Sequence, residues 1–104
     1  MKLRTLPAAE LESAQAAIWY EAQREGAGAE FLAEVDAALD RIRANPASMP
    51  ALEDYTGPHE LRRCRLRRFP YVVQFVLRRG DVLVLAVVHA HRRPLHWLAR
   101  LPKA

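Results

Sequence analysis

The chain has 104 residues, of which 51% are apolar, and this length and composition suit one globular domain, residues 1–104. A single cysteine excludes an internal disulfide framework, and no apolar run approaches the roughly 18 residues that a membrane helix needs, so we expect a protein of the reducing cytoplasm with no membrane partner. The charge is divided along the chain: residues 1–60 hold 5 Lys/Arg and 11 Asp/Glu, a net of −6, whereas residues 61–104 hold 11 and 1, a net of +10.

The beginning of the chain predicts a short strand and a helix. Apolar residues alternate over residues 1–6, as in a strand, and Pro7 opens a helix because its missing N–H is not needed at that position. The helix is predicted to run to about Glu25, where Gly26 and Gly28 end it. Its predicted buried stripe, at helical spacing, comprises Leu11, Ala14, Ile18 and Ala22, with Gln15 and Trp19 beside them.

A second helix is predicted from about Ala29 to Arg43, because Asn45 and Pro46 stop it. Two helices with so short a connection form an antiparallel hairpin. Their outward faces carry most of the acidic residues of the chain. The residues predicted to face inward from the second helix are Phe31, Leu32, Val35, Leu39 and Ile42.

Three strands are predicted after a connecting loop over residues 47–60. Apolar, β-branched and aromatic residues dominate them, and Arg79 with Gly80 forms the two-residue loop of a hairpin. In that register, Tyr71 lies opposite Val88. The three predicted strands are Leu61–Arg68, Tyr71–Leu77 and Val82–Val88.

The two faces of this sheet differ in polarity. Gln74 and His89 lie on one predicted face, and the preceding strand adds Arg63, Arg65 and Arg67 to it, so this face is predicted to be cationic and to attract a polyanion or an acidic protein. The other face is predicted to meet the helices, and it comprises Tyr71, Val73, Phe75, Leu77, Val82, Val84, Ala86 and Val88.

The last segment is predicted to be a short helical tail, Leu95–Leu101, which Pro94 starts and on which Trp97 packs against the core. The element order predicts an α+β fold with one layer of helices on one sheet. It comprises an N-terminal strand, an antiparallel two-helix hairpin, a three-stranded antiparallel sheet that the first strand extends to four strands, and the tail.

This order of elements, together with three motifs, resembles toxins of the RelE/ParE superfamily from bacterial type II toxin–antitoxin modules. The motifs are FPY at Phe69–Tyr71, AVVH at Ala86–His89 and RRPLHW at Arg92–Trp97, and the resemblance covers nearly the whole chain. It implies a growth-inhibiting protein that a cognate antitoxin binds and silences, with the two assembling into an oligomer. It also implies one of two targets, which are DNA gyrase and the ribosome with its mRNA.

The resemblance leaves two mechanisms open. An mRNA endoribonuclease of the RelE kind needs cations for the phosphate and a group for proton transfer, and its candidate catalytic residues are Arg63, Arg65, Arg67, His89, Arg92, Arg93 and His96. The nuclease branch usually has an arginine directly after the tyrosine equivalent to Tyr71 and a tyrosine near the C-terminus. Here those positions are Val72 and His96 or Trp97.

The resemblance therefore favours a ParE-like inhibitor that binds gyrase. The residues expected to bind its target or antitoxin are Arg63, Arg65, Arg67, Gln74, His89 and Trp97. A third interpretation is a nontoxic basic module that binds nucleic acid, with an affinity that falls steeply with salt. His89 and His91 lack further metal ligands nearby, so we expect no metal and no cofactor.

Overall fold

The computed structural model describes residues 1–91 and 96–102. It confirms the predicted α+β order of a strand, two helices and three further strands. No helix in the described ranges is long and apolar enough to cross a membrane. The elements are β1 (Leu3–Thr5), α1 (Pro7–Gln23), α2 (Ala27–Ala44), β2 (Glu60–Arg65), β3 (Tyr71–Arg78) and β4 (Asp81–His89), with 3-10 turns at Pro46–Ser48 and Leu98–Arg100.

The four strands form one sheet in the order β1-β4-β3-β2. β1 joins the sheet as predicted and runs parallel to β4, while the other neighbouring strands are antiparallel. The two helices pack on one face of this sheet, and the core between them includes Phe31, Ile42, Val73, Phe75 and Val84, all fully buried.

The buried face of α1 consists of small residues, which corrects the predicted stripe. Ala9, Ser13 and Ala16 are buried, whereas Leu11 and Ile18 are 58% and 71% exposed. The helix therefore has two apolar faces, and the one with alanines packs inward because it lets the helices approach closely. The two helices are so close at Gly28 that a Cβ atom there would lie only 2.7 Å from the carbonyl oxygen of Ala17. The other predicted positions that face outward instead are Ala14, Trp19 and Ala22.

The core face of α2 is largely the one predicted. Phe31, Val35 and Ile42 are buried and Leu39 is half-buried, but Leu32 is 43% exposed, so its predicted inward position is wrong. The ring of Phe31 contacts three aromatic neighbours, Tyr20, Phe69 and Tyr71, with centroids 5.0 to 5.4 Å apart. This aromatic cluster fixes the end of the sheet at which β3 begins.

A β-bulge in β4 changes the predicted faces of the hairpin. Phe75 lies opposite Val84, but Gln74 lies opposite Ala86, so Leu85 has no partner on β3. The extra residue makes Leu85 and Ala86 both face away from the helices and reverses every later side chain. The predicted pairs and faces for residues 86–89 are therefore wrong: Tyr71 lies opposite His89, Val87 faces the helices, and Ala86 and Val88 face away.

The polar backbone groups at the bulge bind helix α1 and the tail. The carbonyl oxygen of Leu85 accepts a hydrogen bond of 2.9 Å from Arg100, and the N–H of Val87 donates one of 3.1 Å to Glu12. Glu12 and Arg100 also form a two-point ion pair, with N–O distances of 3.0 and 3.3 Å. This network ties the tail to α1 across the edge of β4.

The sheet face away from the helices is covered in its centre, whereas the sequence predicted it to be open. Trp97, 1% exposed, packs there with Val72, Val76 and Leu85, which confirms its predicted core position. Leu52, Tyr55 and Leu101 pack around this second cluster from the long loop and the tail. The tail is shorter than predicted, a 3-10 turn over Leu98–Arg100, and the predicted start at Pro94 and Leu95 lies outside the described residues.

Candidate functional site

Two of the predicted arginines lie together at the edge of the face away from the helices. In the β2–β3 pairing Arg63 lies beside Gln74 and Arg65 beside Val72, so these side chains share a face, as predicted. They border an open depression of about 360 Å³, which we call the arginine depression. Its lining residues are Leu52, Glu53, Asp54, Arg63, Arg65, Val72, Gln74 and Ala90.

The arginine depression carries mixed charge rather than the uniformly positive charge that was predicted. The loop before β2 brings Glu53 and Asp54 against it, and an oxygen of Glu53 lies 4.0 Å from a guanidinium nitrogen of Arg63. Glu53 is 86% exposed, and such exposed ion pairs contribute only about 0–1 kcal/mol, so Arg63 can exchange this partner for another anion. Arg65 is exposed and forms no ion pair within the described residues.

Gln74 and Trp97 bind each other beneath the arginine depression. The indole N–H of Trp97 donates a hydrogen bond to the Gln74 side-chain oxygen, and both residues are buried. A buried amide oxygen needs such a donor, since an unpaired one costs about 1–3 kcal/mol. Gln74 thus lines the arginine depression, and its hydrogen bond with Trp97 holds the tail against the sheet.

Arg67 lies beyond β2, in the turn that leads into β3, and its predicted place on the arginine face stays a prediction. β2 ends at Arg65, and residues 66–70 form an irregular turn into β3. The backbone N–H of Arg67 donates to Glu34 at 3.1 Å, and the same carboxylate lies 3.6 Å from Arg68. The carboxylate on α2 thus holds this turn, and the Arg67 side chain is exposed.

His89 lies on the helix side of the sheet, because the bulge reverses its predicted face. Its ring is 5.4 Å from that of Tyr71, and it borders a small depression of about 230 Å³ together with Glu12, Gln15 and Trp19 of α1. The Nδ1 atom of His89 accepts a hydrogen bond of 3.1 Å from the N–H of His91, so the neutral ring carries its proton on Nε2. His89 is therefore separated from Arg63 and Arg65 by the sheet.

Of the remaining predicted catalytic residues, the structure describes only His96, which lies in the tail. The Nε2 atom of His96 is 3.8 Å from a carboxylate oxygen of Glu12. Arg92 and Arg93 lie outside the described residues. Within the described ranges, no group of three or more His, Cys, Asp or Glu side chains is placed to hold a metal ion.

Tyr20 packs against Phe31 of α2 and Tyr71 of β3, and this packing affects the pKa of its phenol group. Burial, and then the neighbouring Tyr71, raise the pKa of Tyr20 above its ordinary value of 10.0. Tyr20 serves as a packed aromatic residue, with its ring 4.8 Å from that of Phe69.

Sequence reasoning missed two features of this surface. One is Glu12, which accepts a hydrogen bond from the N–H of Val87 at the bulge and pairs with Arg100. No local sequence pattern predicts these contacts. The other is a set of cations at the β3–β4 turn, where Lys2 and Arg4 of the first strand approach Arg78 and Arg79. The alternation of Lys2 and Arg4 was visible in the sequence, but their position beside the turn depends on the parallel pairing of β1 with β4.

Comparison with known proteins agrees with this architecture. A family model described as the ParE toxin of the type II toxin–antitoxin system parDE matches residues 3–94, which include all four strands and both helices. A search of curated proteins finds no match to the chain. Because the family model covers most of the chain, the protein belongs to the ParE family of toxins from type II toxin–antitoxin systems.

Proposed function

We propose that this toxin inhibits growth by binding DNA gyrase, and that its cognate antitoxin silences it by contacting at least one of Arg63, Arg65 and Arg67. The family supports a toxin with an antitoxin partner, and we extend this to gyrase as the target and the cytoplasm as the place of action. We further propose that toxin and antitoxin assemble into a higher oligomer.

The separation of His89 from the arginines carries the preference for binding over RNA cleavage. A general acid or base must lie within hydrogen-bond reach of the atoms whose charge the cations stabilise. His89 lies on the helix side of the sheet, whereas Arg63 and Arg65 border the opposite face. Val72, at the position where the nuclease branch usually has an arginine, is 6% exposed and packs in the second apolar cluster.

Arg65 has the features of an anchor for a protein partner. Its guanidinium is exposed and unpaired within the described residues, and Val72 and Ala90 provide apolar surface in the same depression. Arginine in such a setting is enriched among residues that dominate protein–protein affinity. Arg63 adds a second cation whose carboxylate partner is exposed to water.

A supercoiling assay tests the target. Purified toxin added to DNA gyrase and relaxed plasmid should block supercoiling or trap cleaved DNA, and Arg65→Ala should raise the half-inhibitory concentration at least about tenfold, as loss of roughly 1.4 kcal/mol predicts. Arg43→Ala, which removes an exposed cation from α2, is the control and should act like the wild type. Gyrase that works normally at high toxin concentration contradicts the proposal.

Primer extension on translating ribosomes provides the second arm of this test. New 5′ ends in mRNA, lost in Arg65→Ala or His89→Ala, would assign the RelE-like nuclease activity instead. Intact mRNA together with arrested gyrase is the result that the proposal predicts.

The antitoxin contact is tested by comparing two surfaces. Arg65→Glu should weaken binding of the antitoxin, measured by titration calorimetry, more than Ile18→Glu on the exposed apolar face of α1. Weakening by Ile18→Glu alone would mean that the antitoxin binds only the helices, against the proposal.

A further inference from the structure

A second groove lies on the same sheet face, at the end where the β3–β4 turn meets β1. Its volume is about 250 Å³, its floor includes Val76 and Leu83, and we call it the hairpin-end groove. Four cationic side chains line it: Lys2, Arg4, Arg78 and Arg79. We propose that the hairpin-end groove binds the phosphate backbone of double-stranded DNA.

The strand register explains why these cations meet. Arg4 lies opposite Leu83 in the parallel β1–β4 pair, and Leu83 lies opposite Val76 in the β3–β4 pair. Side chains two residues apart share a strand face, so Lys2 lies on the side of Arg4, and Arg78 on the side of Val76. Residues far apart in the sequence thus form one basic patch.

The positive charge of this groove is largely uncompensated, unlike that of the arginine depression. None of its four cationic side chains forms an ion pair with a described carboxylate. Asp81 is the one acidic residue among the described residues of the lining, and one of its oxygens accepts a hydrogen bond of 2.8 Å from the backbone N–H of Lys2. Four positive charges against one negative charge leave a site suited to a polyanion.

Arg79 occupies a backbone position that disfavours arginine. Its φ is 52° and that of Gly80 is 81°, so both residues of the turn are left-handed, as in a type I′ hairpin turn. Asn or Gly fits the first of these positions with less strain, and we interpret the strained arginine there as a functional choice. At Arg79 that side chain places an exposed cation at the rim of the groove.

The lining favours a duplex backbone over single strands. Binding of unpaired bases relies on aromatic side chains for stacking, and none of the described residues that line this groove is aromatic. Phosphate contacts require only cations placed along a surface. At about 3.3 Å per strand residue, the six residues from Val72 to Arg78 separate the arginine depression from this groove by about 20 Å along β3.

Salt-dependent binding of a fluorescent 20-base-pair DNA duplex tests the proposal. Each lost phosphate contact should lower the slope of log affinity against log salt by about 0.9. Arg79→Asn removes one cation and also creates an Asn-Gly turn, so we expect a lower slope, up to about fivefold weaker binding, and a melting temperature no lower than that of the wild type. Arg4→Gln, on β1, should lower the slope by the same amount without altering the turn.

Arg43→Asn is the matched control, because it removes an equal charge from α2. The proposal is overturned if wild-type protein does not bind duplex at about 100 μM in low salt, or if Arg79→Asn and Arg4→Gln bind like the wild type. It is also overturned if Arg43→Asn loses as much affinity for the duplex as Arg79→Asn does. Binding of single-stranded DNA or of a 20-residue polyglutamate peptide as tightly as duplex DNA would overturn it as well. Gyrase inhibition, measured separately on the same variants, distinguishes failure of this site from failure of the proposed target.

Discussion

At the scale of single residues, Glu21 fixes the junction between the helices. Its two carboxylate oxygens accept hydrogen bonds from the N–H groups of Gly26 and Gly28, at 3.0 and 2.9 Å. Gly26, with a φ of 87°, is the N-cap residue directly before α2 and has no side chain to cap the helix, so the preceding helix supplies the cap. These two hydrogen bonds lower the pKa of Glu21 below its ordinary value of 4.5.

The lowered pKa of Glu21 predicts a pH-dependent contribution to stability. A carboxylate with a depressed folded-state pKa stabilises the fold fully above its unfolded pKa, and this contribution is lost as the pH falls through the folded pKa. Glu21→Gln should therefore melt at a lower temperature than the wild type at pH 7, and the difference should shrink as the pH falls below 4.5. Glu25→Gln, at an exposed site with no described partner, should show no such difference at any pH; a constant gap for Glu21→Gln would contradict this assignment.

The hydrogen bond between the buried side chains of Trp97 and Gln74 should contribute to the stability of the fold. Trp97→Phe removes the indole donor and leaves the buried amide oxygen of Gln74 unpaired, so the free energy of unfolding in urea should fall by at least about 1–3 kcal/mol. Replacing both partners, in Trp97→Phe with Gln74→Leu, should recover part of this loss. Equal losses in the single and the double variant would show that lost packing alone explains the effect.

At the scale of elements, helix α1 shows where sequence reasoning succeeds and where it stops. Its existence and its start at Pro7 followed from the sequence, but its inward face did not. Large apolar residues at helical spacing pointed to the wrong side, because the alanine-rich face packs closely on α2 and the sheet. The bulge at Leu85 could not be predicted from the sequence either. The segment around it is apolar throughout, so it has no alternation of polar and apolar residues that an extra residue would interrupt.

Two substitutions in α1 test this orientation. Ala16→Leu inserts three carbon atoms into a site that is 6% exposed, so the free energy of unfolding should fall by about 1–3 kcal/mol. Ile18→Ala, at a site that is 71% exposed, should change it by less than about 0.5 kcal/mol. A larger loss for Ile18→Ala than for Ala16→Leu, in urea unfolding, would reverse the assignment of the two faces.

At the scale of the whole molecule, the divided charge of the sequence survives folding in a modified form. The helices carry most of the acidic residues on one side of the sheet, and basic side chains line two depressions on the other side. The location of the strongest positive charge was not predictable, because Glu53 and Asp54 of the long loop fold against Arg63 and Arg65. The hairpin-end groove receives no such cover apart from Asp81.

We infer that the exposed guanidinium of Arg65 engages the target through which this toxin stops growth. The most direct measurement is growth after induction of the toxin without its antitoxin, comparing the wild type with Arg65→Glu and Arg43→Glu at equal folded amounts. We expect arrest with the wild type and with Arg43→Glu, and growth restored by Arg65→Glu. Full arrest by a folded Arg65→Glu protein would contradict the claim.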